Sequence, residues 1–81
     1  MYNVIMHNDD VTPMDFVIFV LSKVFRYSHD DAETTMLKIH NEGAAIVGTY
    51  TRDIAESKTE KATAFARYNK FPLVITIEEE K

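Results

Sequence analysis

The sequence contains no cysteine. That excludes a disulfide scaffold, a thiolate metal site and a cysteine nucleophile, and it is compatible with a reducing compartment. Long apolar runs are missing as well. The longest, Phe16 to Leu21, falls far short of the ~18 residues of a membrane span, and no secretory leader is recognisable. Basic residues are scarce: nine Lys and Arg stand against 13 Asp and Glu, for a net charge of −4. No basic patch is interleaved with aromatics, so nucleic acid is not an expected partner, because phosphate binding calls for clustered Lys and Arg. Glycine and proline number two each, and each falls at a break in the pattern.

What is present is enough for a core. Apolar residues make up 46% of the 81 residues, with four Tyr and five Phe among them. One domain spanning residues 1–81 is expected, small enough that only ~60–65% of its unfolded surface is buried.

Tyr2 to Met6 is β-prone and reads as a strand, stopped by Asn8-Asp9-Asp10, residue types that favour turns. Thr12-Pro13 reads as a helix start, with a hydroxyl at the N-cap, proline at N1 and Asp15 at N3. That helix is expected from Pro13 to Arg26. Ser28 caps a second helix whose first turn holds Asp30, Asp31 and Glu33, and Gly43 closes it after Glu42. Ala44 to Tyr50 reads as a strand interrupted by Gly48. Thr51 caps a third helix with an inward stripe of Ile54, Ala55, Ala62, Phe65 and Ala66, ended by Asn69 and Pro72. Leu73 to Ile77 is a last strand, and Glu78 to Lys81 a solvated tail. The fold class is therefore α+β, in the order β-α-α-β-α-β. Three helices on a three-stranded antiparallel sheet bury the helix stripes and one sheet face.

Three features can carry chemistry. Asn8-Asp9-Asp10 is either a structural turn or a cluster of acceptors aimed at a cation. A peptide α-amino group, with its pKa near ~7.7–8, is such a cation and carries three donors. His40 lies four residues after Met36 on one helical face. It is either a packed or capping residue or, as a neutral imidazole, one more acceptor. Met14, Val17, Met36, Ile39 and Leu73 are core candidates that could equally line a pocket, since methionine adapts to variable apolar side chains. Ser22, Ser28 and Ser57 lack a nucleophile context. No metalloprotease, nucleotide-binding or calcium-loop spacing occurs, so the chain is not expected to be an enzyme. A metal site from His7, Asp9 and His40 is chemically feasible, but no spacing selects it. No metal or cofactor is expected.

The stretch Val4-Ile5-Met6-His7-Asn8-Asp9-Asp10-Val11-Thr12-Pro13-Met14-Asp15-Phe16-Val17 resembles the signature of the ClpS family, the adaptors of the bacterial N-end rule. So do Met36-Leu37-Lys38-Ile39-His40, then Gly43, Ile46, Gly48 and Tyr50-Thr51, then Ile54-Ala55-Glu56-Ser57-Lys58 and Phe71-Pro72-Leu73. The resemblance runs in order through nearly the whole chain.

It implies a non-catalytic adaptor that binds N-degron peptides and proteins through a free N-terminal Leu, Phe, Tyr or Trp. Asn8, Asp9 and His40 would hold the α-amino group. Thr12, Met14, Val17, Met36, Ile39 and Leu73 would line the side-chain pocket, with Met14 as gatekeeper against β-branched residues. The partner implied is a ClpA- or ClpC-type AAA+ unfoldase, contacted partly through Asp53 and Lys58, for ATP-dependent proteolysis. A monomer is expected, located in the bacterial cytoplasm or the plastid stroma, with no membrane partner. The competing expectation is a generic protein-interaction module of the same outline, similar to the ribosomal stalk C-terminal domain. In that case the acid cluster is purely structural.

Overall fold

A computed structural model describes residues 1–80; Lys81 lies outside the described residues. The elements follow one another as β1 (Tyr2–His7), α1 (Met14–Lys23), α2 (His29–Glu42), β2 (Ala44–Tyr50), α3 (Arg52–Tyr68) and β3 (Val74–Glu79). The sheet has the order β2-β1-β3, and β1 is antiparallel to both neighbours. This is the architecture expected from the sequence. No helix among the described residues is long and apolar enough to cross a membrane.

The two-residue periodicity of strands sorts the sheet into two faces. Val4, Met6, Ala45, Val47 and Ile75 are buried against the helices. Asn3, Ile5 and His7 alternate with them on the other face. There the Thr49 hydroxyl donates to Asn3 Oδ1 at 2.7 Å, and His7 Nε2 lies 2.8 Å from Thr76 Oγ1. His7 is thus engaged across the sheet rather than gathered with Asp9 and His40. Among the described residues no three His, Asp or Glu side chains are grouped to hold a metal ion.

Ala55, Ala62 and Ala66 are fully buried on α3, and side chains this small let a helix approach a sheet closely. The expected stripe holds for these three and for half-buried Phe65. Ile54, one residue ahead of Ala55, is instead 48% exposed. A helix turns about 100° per residue, so Ala55 at the centre of the buried face puts Ile54 at its edge.

Helix ends depart from the sequence expectation in two places. Thr12 does not cap α1; Pro13 occupies the cap position, in an extended conformation. At the other end α1 stops at Lys23. Arg26 takes a left-handed φ of 63°, and the Tyr27 N–H reaches back over six residues to the Leu21 carbonyl at 3.1 Å, which satisfies a carbonyl of the last helical turn. Gly43 does end α2 as expected, at φ 89°. Thr51 occupies the N-cap of α3 without a side-chain bond. Glu78 and Glu79, expected in a solvated tail, extend β3 by pairing with Asn3 and Tyr2.

The interruption at Gly48 is a β-bulge. Val4 pairs with Gly48 and Ile5 with Ile46, so Val47 is the extra residue. Its carbonyl accepts a bond of 2.6 Å from the Tyr27 hydroxyl, which satisfies a group the ladder leaves free. Any Cβ on Gly48 would collide with the Tyr50 ring and hydroxyl, which fold back over it. Gly48→Ala is therefore expected to displace the ring and destabilise the fold by ~1–3 kcal/mol. Urea denaturation checks this, and a loss below ~0.5 kcal/mol would show that Tyr50 moves freely.

Candidate functional site

The loop after β1 is fixed at both ends by backbone chemistry. The Asn8 N–H donates to the Gly43 carbonyl at 2.9 Å, and the Gly43 N–H donates to Ile39 at 2.9 Å. A single left-handed glycine thus ends α2 and moors the start of the loop beside its last turn. That brings Asn8 towards His40 across a sequence gap of 32 residues.

Asp9 then builds the turn. Its Oδ1 accepts from the backbone N–H groups of Val11 at 2.9 Å and Thr12 at 2.6 Å. Its Oδ2 accepts from the Thr12 hydroxyl at 2.7 Å. This local side-chain-to-backbone bonding is what takes Thr12 away from the helix cap. Burial by itself raises the Asp9 pKa. The bonds from Thr12 and Val11, with the positive charge of Arg67, outweigh that and hold the carboxyl below the usual carboxylate range. A carboxylate offers about four acceptor positions. The turn uses three of them, and Asp9 keeps capacity for one further donor.

A cleft of about 260 Å³ opens between this loop, the first turn of α1 and the second half of α2. Asn8, Asp9 and His40 lie on its wall with exposed Asp10, while Thr12, Met14, Val17, Met36 and Ile39 supply the rest of the anticipated lining. Val17, Met36 and Ile39 are nearly buried, whereas Met14 is 46% exposed. This gradient gives a cleft with an apolar floor, polar acceptors at one side and a flexible thioether standing at its edge. α2 ends beside it, so the partial negative charge of that helix end favours a cation there.

Leu73 is the exception among the anticipated pocket residues. It is 1% exposed, among the largest fully buried side chains, and the cleft wall does not include it. The alternation of exposed Pro72, buried Leu73, exposed Val74 and buried Ile75 puts it on the core-facing side of the chain entering β3. Val11 and Pro13 line the cleft without having been singled out; their places between Asp9 and Met14 were the available signal. Asp53 and Lys58 are remote from this cleft and line a second one beside the end of α1. The Lys58 ammonium donates to the Val24 carbonyl at 2.9 Å and stands 5.3 Å from the centre of the Tyr50 ring.

Fold and site together define a small α+β binding domain with one apolar cleft edged by acceptors for a cation. The family described as "ATP-dependent Clp protease adaptor protein ClpS" matches residues 1–76, and the chain belongs to that family. It is 49% identical over 79 residues to the ATP-dependent Clp protease adapter protein ClpS of Vibrio atlanticus, covering 98% of this chain and 74% of that one. The ClpS of Salmonella arizonae is 48% identical over the same shares. The fold is similar to that of Agrobacterium tumefaciens ClpS2 solved bound to L-phenylalaninamide. The TM-score is 0.95 and the identity 44%, over 98% of this chain and 95% of that one.

Proposed function

We propose that this chain captures proteins by a free N-terminal Leu, Phe, Tyr or Trp and delivers them to a ClpA- or ClpC-type unfoldase for ATP-dependent proteolysis. It acts as a non-catalytic, monomeric adaptor in a bacterial cytoplasm or plastid stroma. The observation that carries this reading is the juxtaposition of Asn8, Asp9 and His40 with the apolar wall of Met14, Val17, Met36 and Ile39 in one cleft. An α-ammonium group has three donors. The Asn8 amide oxygen, the spare capacity of Asp9 and a neutral His40 nitrogen are three acceptors to match. L-phenylalaninamide, the ligand of the Agrobacterium relative, has a free α-amino group beside a bulky apolar side chain, as this cleft requires.

Magnitudes agree with reversible capture. Burial of one large side chain contributes ~1.5–3 kcal/mol, and each charge-assisted hydrogen bond ~1.5–3 kcal/mol before ordering costs. Micromolar binding corresponds to ~8 kcal/mol. An acetylated or internal residue leaves acceptors unpaired, which is the source of selectivity for a chain end.

Two labelled peptides that differ only in a free or acetylated N-terminal Phe test the proposal by fluorescence anisotropy. Binding of the free form alone is expected, and equal binding of both would overturn it. Met14 stands where a branched first side chain would meet it. Met14→Ala is therefore expected to raise binding of an Ile-initiated peptide relative to a Phe-initiated one by about tenfold, the equivalent of ~1.4 kcal/mol. An unchanged ratio would remove Met14 from the selectivity. Asp53 and Lys58 are assigned to the unfoldase contact, so their cleft faces the partner while the first cleft holds the substrate.

A further inference from the structure

Cysteine is absent, so no thiol competes for an oxidant and thioethers are the softest targets the chain offers. There are four of them. Met6 and Met36 are 0% and 6% exposed and are shielded from solvent. Met1 and Met14 are 58% and 46% exposed. Met1 stands ahead of β1, at the opposite end of that strand from the loop that edges the first cleft. Met14 opens α1 and lines that cleft together with Asn8, Asp9 and His40. Met14 alone thus joins access to solvent with a place in the cleft wall. Its apolar neighbours there, Val17, Met36 and Ile39, are nearly buried, so its sulfur is the one in that wall most open to a dissolved oxidant.

We infer that Met14 is a peroxide-sensitive site, at which oxidation of one side chain releases a captured N-terminus. A lone pair of its sulfur attacks an oxygen of hydrogen peroxide. The S–O bond forms, the O–O bond breaks, and the departing hydroxide takes the proton of the sulfur-bound hydroxyl and leaves as water. Sulfur loses two electrons and the peroxide gains them. The sulfoxide that results is polar where the thioether was apolar. Turned inward, its oxygen loses water against an apolar occupant without gaining a donor. Turned outward, it uncovers that occupant to solvent. Either rotamer weakens binding. The change is reversible, since a methionine sulfoxide reductase restores the thioether with electrons from a dithiol, yielding water and a disulfide. This rests on the capture of a free N-terminus at the first cleft, and adds a means of switching that capture off.

To test this, the full chain is treated with hydrogen peroxide at neutral pH, mapped by peptide mass spectrometry and titrated with a free Phe peptide. Oxygen is expected on Met1 and Met14 and not on Met6 or Met36. Prior saturation with the peptide should slow the reaction at Met14 alone. Affinity should fall by about fivefold or more, the low end of what an unpartnered buried polar group costs. It should return after incubation with sulfoxide reductase and dithiothreitol. Met14→Leu has no sulfur to oxidise at that position; compared only with itself, before and after peroxide, its affinity should not shift. An unreacted Met14, or an oxidised Met14 with unchanged affinity, would overturn the inference and leave capture of a free N-terminus standing. So would an equal loss in Met14→Leu, or a fall in the urea midpoint that tracks the affinity loss, since both place the damage elsewhere. No binding of the Phe peptide before peroxide is added would overturn the capture reading and this inference with it.

Discussion

Asp9→Asn is expected to weaken binding of a Phe-initiated peptide by about 10- to 100-fold. In the role proposed for it the carboxylate would offer the ammonium one charge-assisted bond, and such a bond is worth ~1.5–3 kcal/mol, where ~1.4 kcal/mol is a factor of ten. Asparagine keeps one oxygen for the Val11 and Thr12 N–H groups, so the turn and the fold persist. Asp9→Ala removes the acceptor of those N–H groups as well, and loses ~1 kcal/mol of stability by analogy with a lost helix cap. Isothermal calorimetry and urea denaturation separate the two effects. A stability loss without an affinity loss would make Asp9 a turn residue and nothing more. The stability effect has a defined pH sign. The folded-state pKa of Asp9 is lowered, so its contribution is present above the ordinary aspartate value, ~3.9. It is lost as the pH falls through the lower folded value. The wild-type advantage over Asp9→Asn should therefore persist from neutrality to about pH 4 and shrink below it. An advantage that grows on acidification would contradict this account.

Leu73→Ala should unfold the protein more readily without altering what it binds. Removing a fully buried leucine costs ~2–5 kcal/mol, a large share of the ~5–15 kcal/mol that holds a small domain together. For a chain of this size each kcal/mol moves the melting temperature by ~4–8 °C, so a fall on the order of 10 °C or more is expected. Well below that temperature, affinity for the Phe peptide should match the wild type within about twofold. A preserved melting temperature with changed affinity would return Leu73 to the cleft wall.

These two residues also show how far the sequence could be read. Element order was legible because each break carries its own chemistry: Asn8-Asp9-Asp10 after β1, Gly43 after α2, Asn69 to Pro72 after α3. Helical spacing put only Met36 and His40 on one face; Met14, Val17, Met36 and Ile39 stood open between core and pocket, and the resemblance to the ClpS family named them as the cleft wall in the first turn of α1 and the second half of α2. Thr12 was misjudged because a threonine before proline resembles a cap. Only the fold brings the Asp9 carboxylate within 2.7 Å of its hydroxyl. Leu73 could not be divided between core and pocket, since the same apolar side chain suits both and burial decides. The mooring of Asn8 to Gly43 was equally illegible, because it joins two backbone groups and no side chain records it. The bulge at Val47 was visible only as an interruption at Gly48, and the Tyr27 hydroxyl that completes it lies 20 residues away.

α1 joins the two clefts: Met14 at its first residue lines one, and Lys23 at its last lines the other. Ten helical residues span ~15 Å, and a hydrogen-bonded helix of that length does not stretch. If the two clefts hold a captured chain end and a docked unfoldase as proposed, α1 keeps them at a nearly constant short separation. In such an arrangement transfer of the substrate ceases to depend on its bulk abundance. It depends on an effective concentration set by a rigid spacer, in the millimolar range for sites this close. A scarce substrate is then engaged as though it were plentiful. Lengthening or bending α1 would change the rate of hand-over while leaving both affinities as they were.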